Sequence, residues 1–190
     1  MRSDGELLVA WREGDVAAGD ELLRRYFRPL LRFFRHKVPS GAEDLIQHTM
    51  LACVERRDDI NDHGSFRGYL FAIARGKLFD RLRREHRRPD EVDIAEHSLH
   101  DLGTSPSSAV ARDERKAKLA MALTSIPLDH QIAIELAYWE RMAGPEIAAV
   151  LGIPANTVRS RLARARRMLR ERLEALGIPD FEPRAVADEA

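Results

Sequence analysis

The chain of 190 residues is 44% hydrophobic and 33% charged, and its 31 basic residues balance its 31 acidic residues. This composition is normal for a soluble globular protein and excludes a disordered chain. Because no run of about 18 apolar residues occurs, a membrane span is not expected. Residues 1–15 lack the apolar core of a signal peptide. The single cysteine, Cys53, excludes an intrachain disulfide framework, so we expect a protein of the reducing cytoplasm.

Apolar residues recur every three or four positions along most of the chain, and no stretch shows sustained alternation, so the sequence predicts an all-α protein. The first periodic segment covers residues 20–38 and contains Pro29, which we expect to kink the helix rather than end it. Two further helices are predicted over residues 42–57 and 66–88, separated by a loop that is rich in turn-forming residues.

The neutral total charge hides an uneven distribution. Residues 66–90 contain eight basic and three acidic residues, and residues 156–173 contain seven basic residues and one acidic residue. Residues 89–115, by contrast, carry seven acidic and two basic residues. The sequence therefore predicts two small helical domains, each with a basic helix, joined by a flexible acidic linker. Such local positive charge favours nucleic acid as a partner.

Residues 145–162 carry the clearest local motif. Pro145 suits the first turn of a helix, where its missing N–H is not needed, and Gly152 supplies the left-handed residue that ends this helix. Pro154 then opens a second, arginine-rich helix after a very short turn. Two helices joined so tightly are typical of a helix-turn-helix, whose second helix enters the major groove of DNA.

The helical wheel of this second helix separates an apolar face from a basic one. The apolar face consists of Val158, Leu162, Ala165 and Leu169. Small and basic residues occupy the opposite face and its flanks: Ser160, Ala163, Arg164 and Arg167, with Arg159, Arg166 and Arg161 beside them. This layout suits base reading between two phosphate walls. The charge alone fits a solvated arginine-rich helix end or a partner-binding helix equally well.

The helix predicted over residues 42–57 has one apolar and one mixed face. The apolar face, which we expect to be buried, consists of Leu45, Ile46, Thr49 and Cys53. The opposite face consists of Asp44, Gln47, Leu51 and Glu55. An acidic rim around an exposed leucine indicates contact with a protein, but an ordinary solvated face with one stray leucine fits equally well.

The helix predicted over residues 66–88 mixes aromatic and basic side chains. Cations that hold a nucleic-acid backbone, next to rings on which unpaired bases stack, form a single-strand binding surface. Core packing explains Phe71 and Ile73 equally well. Gly76 lies inside this helix and costs it on the order of 1 kcal/mol of stability relative to alanine.

Four segments carry recognisable motifs: AEDLIQHT at residues 42–49, FRGYLFAIAR at 66–75, DRLRR at 80–84 and TVRSRLARAR at 157–166. In this order and at these separations, they resemble the extracytoplasmic-function sigma factors of bacterial RNA polymerase. The resemblance extends over residues 22–88 and 117–176, which is most of the chain.

The resemblance implies a sigma factor that binds core RNA polymerase and directs promoter-specific initiation by recognising and helping to melt promoter DNA. It implies a region-two domain at residues 1–89, a linker at 90–115, a region-four helix-turn-helix domain at 116–176 and an acidic tail at 177–190. The linker is too short for the middle domain of housekeeping sigma factors. An anti-sigma factor is a further partner expected of the family, whereas no cofactor, metal or small-molecule substrate is implied.

The same resemblance assigns residues to three surfaces. Residues of the second basic helix would read the minus-thirty-five element: Thr157, Arg159, Ser160, Arg161, Ala163, Arg164 and Arg167. A loop that takes up a flipped base, and the helix after it, would bind the minus-ten element through Asn61, Asp62, Phe66, Arg67, Tyr69, Arg75, Lys77, Asp80 and Arg84. Core polymerase would be contacted by Asp44, Gln47 and Thr49, with the exposed Leu51 beside them.

No enzymatic site is predicted. The seven histidines are scattered, and the sequence has no glycine-rich phosphate loop and no nucleophile elbow. His97, His100 and Asp101 have a metal-like spacing but lack the further ligands that would complete a coordination shell. The alternative functions are a free-standing helix-turn-helix regulator, which binds DNA without polymerase, and an adaptor that only sequesters a partner protein.

Overall fold

A computed structural model describes residues 1–60, 65–86 and 106–178. Within these residues the chain forms α-helices and one short 3-10 turn but no β-strand, so the all-α prediction is confirmed. The helices are α1 (Asp4–Arg12), α2 (Val16–Arg35), α3 (Ala42–Glu55), α4 (Phe66–His86), α5 (Pro106–Thr124), α6 (Leu128–Tyr138), α7 (Gly144–Leu151) and α8 (Ala155–Ala175), with the 3-10 turn at Arg57–Asp59. None of these helices is long and apolar enough to cross a membrane.

Several sequence predictions lie outside the described residues. They concern Asn61 and Asp62 of the minus-ten surface, the metal-like group His97, His100 and Asp101, most of the linker, and the tail beyond residue 178.

The described residues form two compact units. The first unit takes residues 1–60, 65–86 and 145–153, and the second takes residues 106–144 and 154–178. The contacts therefore group most of α7 with the first unit, whereas the division made from the sequence assigns α7 to residues 116–176.

Helix α1 is absent from the sequence prediction, although its first residues carry a capping signal. The Ser3 hydroxyl accepts a hydrogen bond from the Glu6 backbone N–H at 3.2 Å, and the Glu6 carboxylate accepts one from the Ser3 backbone N–H at 2.6 Å. This capping box pairs N–H groups that the first turn leaves free, and these hydrogen bonds lower the pKa of Glu6. The Ser-x-x-Glu spacing is thus the signal from which α1 could have been predicted.

Helix α1 packs closely against α2. Its residues Leu7, Leu8 and Trp11 are buried, and the Trp11 indole lies against Gly19 of α2. A Cβ atom at position 19 would lie 2.4 Å from the indole Nε1. The approach of the two helices at this point therefore depends on glycine having no side chain.

Helix α2 begins earlier than predicted because Asp15 caps it. The Asp15 carboxylate accepts a hydrogen bond from the Ala18 backbone N–H at 3.0 Å, and this bond is the largest cause that lowers the pKa of Asp15. The helix continues through Pro29 rather than ending there, as the sequence predicts.

Aromatic rings form the centre of the first unit. Phe33 lies edge to face with Phe34 of the same helix and with Phe71 of α4, and the ring centroids are 5.2 and 5.4 Å apart. Each of the three side chains is at most 3% exposed. Such ring pairs contribute about 0.5–1.5 kcal/mol each beyond their buried area, so Phe71 stabilises the fold instead of presenting a ring to a ligand.

The second unit has an apolar core between α5, α6 and α8. Its buried residues are Ala122, Leu123, Ile126, Ile134, Ala165, Leu169 and Leu173. Because α8 supplies a buried residue every three or four positions, one face of α8 is fixed against the core and the opposite face is directed to solvent.

Candidate nucleic-acid interface

The turn before α8 has the predicted geometry. Gly152 has a φ of +65°, which is the left-handed conformation that ends α7. The Ile153 backbone N–H donates to the Ala148 carbonyl at 3.1 Å, and Pro154 is extended, with φ −60° and ψ 144°, directly before α8 begins. The turn is therefore held by its backbone, and it starts α8 three residues after Gly152.

The helical-wheel prediction for α8 is confirmed. Val158, Leu162, Ala165 and Leu169 are at most 7% exposed. The predicted outer residues Arg159, Ser160, Ala163, Arg164 and Arg167 are all exposed. The small side chain of Ala163 leaves room between its larger neighbours, so the outer face of α8 can approach a flat surface closely.

Two of the cations on and beside the outer face of α8 are weakly paired. Arg167 lies 3.9 Å from Glu171, and Arg161 lies 3.8 Å from Asp129 of α6, which are loose distances for ion pairs. Within the part of the chain that the structure describes, Arg159 and Arg164 form no hydrogen bond or ion pair. These guanidinium groups are therefore available to an external anion.

Two other predicted residues of α8 lie at its N-terminal end. Thr157 is partly buried, and its carbonyl accepts a hydrogen bond from the Ser160 hydroxyl at 2.9 Å. This bond leaves the lone pairs of the Ser160 oxygen free, so Ser160 can still accept a hydrogen bond from a base edge.

The two faces of α3 are also as predicted. Leu45, Ile46, Thr49 and Cys53 are at most 4% exposed, whereas Asp44, Gln47, Leu51 and Glu55 are exposed. Leu51 is 53% exposed, and Val54, for which the sequence predicts no role, is 40% exposed. The outer face of α3 therefore presents apolar side chains beside an acidic rim.

Burial changes what two residues of α3 can do. The Thr49 hydroxyl donates to the Leu45 carbonyl at 2.7 Å inside the core, so Thr49 is not part of the exposed face. Burial raises the pKa of the Cys53 thiol to about 12, which leaves no reactive thiolate at neutral pH.

The start of α4 is packed into the first unit. Phe66 is 3% exposed and lies edge to face with Tyr26 at 5.5 Å, so its ring is not presented to a base. Arg67 is partly buried and forms an ion pair at 2.9 Å with Glu146 of the same unit. Tyr69 is partly buried, and burial raises the pKa of its hydroxyl.

The rest of α4 exposes cations that are paired within the helix. The Arg75 guanidinium lies 4.6 Å from the centre of the Phe79 ring, a cation–π contact. Ion pairs join Arg81 to Glu85 at 2.5 Å and Arg83 to Asp80 at 2.6 Å. Lys77 is partly buried, and Arg84 is exposed and donates to the Asp80 carbonyl at 3.2 Å. The predicted minus-ten residues that the structure describes therefore lie along α4, and the neighbouring cations Arg81 and Arg83 are compensated within the same helix.

Two family models match the chain. The model of Sigma-70 region 2 matches residues 22–88, and that of Sigma-70, region 4, matches residues 116–169. Together they cover more than half of the chain, and they divide it between the helices α2 to α4 and the helices α5 to α8.

Proteins of known function are similar to the chain over nearly its whole length. The RNA polymerase sigma-H factor of Pseudomonas aeruginosa is 28% identical over 187 residues, which are 93% of this chain and 96% of the relative. The ECF RNA polymerase sigma-E factor of Escherichia coli K12 is 27% identical over 183 residues, which are 92% of this chain and 96% of the relative.

Solved structures show the same fold. CnrH, solved in complex with the cytosolic domain of CnrY, superposes with a TM-score of 0.68 at 25% identity over 90% of this chain and 97% of that one. The sigma factor RpoE of Bartonella quintana, solved with the anti-sigma factor NepR, superposes with a TM-score of 0.66 at 24% identity over 82% of this chain and 96% of that one.

Proposed function

Because the chain belongs to the sigma-70 family of transcription initiation factors, in its extracytoplasmic-function group, we propose that it directs RNA polymerase to promoters through three separate surfaces. The exposed, weakly paired arginine face of α8 is the observation that carries this proposal. The proposed domains are residues 1–89 and 116–176, joined by a linker at 90–115, and the proposed location is the cytoplasm.

The first proposed surface is the outer face of α8, which reads the minus-thirty-five element. In a helix-turn-helix the second helix lies in the major groove with its N-terminal residues on the base edges. On α8 the residues that would face the base edges are Ser160, Ala163 and Arg164. Arg164 can donate two hydrogen bonds to one guanine. Arg159, Arg161 and Arg167 lie beside them and bind phosphates, which fix the register without reading sequence.

The second proposed surface is the exposed part of α4, which holds the separated strand of the minus-ten element. Arg84 and the partly exposed Arg75 and Lys77 supply cations. The Arg75–Phe79 pair combines a charge with a ring, which suits a nucleic-acid strand with unpaired bases. The burial of Phe66 supports a packing role for that residue rather than contact with a base.

The third proposed surface is the outer face of α3, which binds core RNA polymerase. Leu51 and Val54 give it an apolar centre, and Asp44 and Gln47 give it a polar rim. An apolar centre with a polar rim is the usual composition of a protein–protein interface. Thr49 supports this surface from inside, because its hydrogen bond to Leu45 lies within the core.

An anti-sigma factor is a further proposed partner. The sigma factor RpoE, which has a similar fold, has been solved with the anti-sigma factor NepR, and CnrH, which also has a similar fold, has been solved with the cytosolic domain of CnrY. A protein that covered the outer face of α3 would compete with core polymerase for the same apolar residues.

Reconstitution with core polymerase tests the proposed function. The purified chain is added to core polymerase and genomic DNA, and the 5′ ends of the transcripts are sequenced. We expect initiation at a defined set of sites that share two upstream motifs, and none with core polymerase alone. Tight binding of the free chain to duplex DNA, without any specific transcript in the presence of core, would instead identify a free-standing regulator.

A matched pair of variants assigns the α3 surface. Asp44→Ala should weaken binding to core polymerase because it removes an exposed acidic group from the rim. Asp20→Ala removes an equally exposed acidic group from α2 and should leave core binding unchanged. Equal affinity of the two variants for core polymerase would remove Asp44 from the proposed interface.

A further inference from the structure

Arg141 has a backbone conformation that its side chain disfavours. Its φ is +50°, the left-handed region, and it is the only residue other than glycine with a positive φ among those that the structure describes. A Cβ atom crowds the backbone in this region, so left-handed positions after helices are usually occupied by glycine. The turn between α6 and α7 therefore carries an arginine where the backbone favours glycine.

The surrounding turn holds Arg141 in this conformation. The backbone N–H groups of Trp139 and Glu140 both donate to the Glu135 carbonyl, at 2.9 and 3.2 Å. The Met142 N–H donates to the Leu136 carbonyl at 3.0 Å, and the Met142 side chain is 1% exposed. The left-handed residue is thus the point at which the chain leaves α6 and turns inward to bury Met142.

The Arg141 side chain contributes nothing visible to this turn. It is exposed, and no other described residue forms a hydrogen bond or ion pair with its guanidinium. Strained residues persist where the surrounding structure fixes them, and they are concentrated at functional sites. An unfavourable backbone position with an unpaired cation therefore points to a ligand outside the chain.

The position of Arg141 in the motif indicates which ligand. Arg141 lies three residues before Gly144, the first residue of α7, which is the first helix of the helix-turn-helix. In this motif the first helix crosses the DNA backbone while the second enters the major groove. A cation at the entrance to the first helix is thus placed beside a phosphate strand and away from the base edges.

We propose that Arg141 binds a backbone phosphate next to the minus-thirty-five element and anchors the helix-turn-helix without reading sequence. This inference rests on the proposed function of α8. A cation that neutralises one phosphate releases the counterion condensed there, so the contact contributes to the salt dependence of binding. Because Arg141 also lowers the stability of the free protein, its replacement by glycine should raise stability and weaken DNA binding at the same time.

The test compares full-length variants in holoenzyme, with a promoter fragment taken from the sequenced transcripts. Arg141→Gly should raise the Tm of the free chain by roughly 2–4 °C, because the strain is relieved. It should also reduce the slope of log Kobs against log salt concentration by about 0.9. Arg141→Lys keeps the charge and the strain, and it should leave both the slope and the Tm near those of the wild type.

Arg172→Ala is the matched control. Arg172 is an exposed arginine near the end of α8, about 20 Å along the helix from Arg159 at 1.5 Å per residue, and its removal should not change the slope. Arg141→Gly should weaken the affinity of holoenzyme by the same factor for fragments with altered minus-thirty-five bases, as expected of a phosphate contact.

Several outcomes would overturn the proposal. An unchanged salt slope in Arg141→Gly would exclude the phosphate contact, and a reduced slope in Arg141→Lys would exclude a role for the charge. Weaker binding to core polymerase with an unchanged slope would make Arg141 a polymerase contact. Arg164→Ala separates these failures from failure of the proposed function. If the chain does not read DNA through α8, promoter affinity will be unchanged in Arg164→Ala as well as in Arg141→Gly.

Discussion

Helices α4 and α8 have similar surpluses of basic residues in the sequence but hold them differently. In α4, Arg81 and Arg83 form close ion pairs with acidic residues one turn away, at 2.5 and 2.6 Å. In α8, the ion pairs of Arg161 and Arg167 are loose, at 3.8 and 3.9 Å. The formal charge of the two segments is therefore a poor measure of the charge that each offers to DNA.

This difference fits the two kinds of DNA contact that we propose for these helices. A helix that enters a major groove needs free cations and small side chains at fixed positions, because base reading depends on bidentate geometry. A surface that holds a separated strand relies on stacking and on weaker, sequence-tolerant contacts. Pairing within α4 also lets this helix carry basic residues close to the core of the first unit without strong repulsion between them.

One variant tests the free cations of α8 directly. Arg164→Ala should cost about 1–3 kcal/mol of promoter affinity and relax the base preference at one position of the minus-thirty-five element. The measurement is the Kd of holoenzyme for promoter fragments that carry each base at that position. Arg172→Ala, also exposed on α8 but near its last turn, serves as the control. An equal loss on every fragment would make Arg164 a phosphate contact.

The next effect concerns the intrinsic stability of the two helices. Gly76 is exposed inside α4, and a Cβ atom there would meet nothing within 4 Å. Gly76→Ala should therefore raise the free energy of unfolding by about 1 kcal/mol, and Ala163→Gly in α8 should lower it by a similar amount. Chemical denaturation followed by circular dichroism measures both. A loss of stability in Gly76→Ala would contradict the open space beside Gly76.

A smaller effect tests the compensation of charge in α4. Glu85→Gln removes the partner of Arg81 and should cost about 0.2–1 kcal/mol of stability, because the pair is partly exposed. It should also steepen the salt dependence of holoenzyme binding to single-stranded minus-ten DNA, since one more cation becomes available. Glu174→Gln, an exposed acid near the end of α8, is the control. An unchanged slope would show that Arg81 does not face the strand.

His130 of α6 should make the stability of the fold depend slightly on pH. Burial, and then the charges of Arg161 and Arg164, lower the pKa of His130 below 6.5, the value of an unperturbed histidine. The unfolded chain therefore takes up a proton before the folded one does, so stability is full above this value and falls as the pH decreases through the lowered pKa. His130→Gln should therefore reduce the change of Tm with pH between 6.5 and the lowered pKa of His130. An identical pH profile for the variant would assign the loss to other groups.

Features that depend on local periodicity and on backbone preference could be predicted from the sequence. The buried stripe of α8, the two faces of α3 and the left-handed Gly152 were all predictable, because each follows from residue spacing or from the absence of a Cβ atom. Helix α1 was equally accessible through the capping box of Ser3 and Glu6, but its short apolar stripe gave no clear period.

The burial of rings on the basic helices, by contrast, followed from contacts between distant segments. Phe66 and Tyr26 are far apart in sequence, and their contact, which removes Phe66 from the surface, depends on how α2 and α4 pack. The left-handed conformation of Arg141, next to the buried Met142, is similarly invisible in the sequence, because an arginine does not favour it. Spacing fixes the face of a helix and the ion pairs one turn apart along it. Packing between distant segments fixes which of its side chains are buried, because such contacts leave no mark in the local sequence.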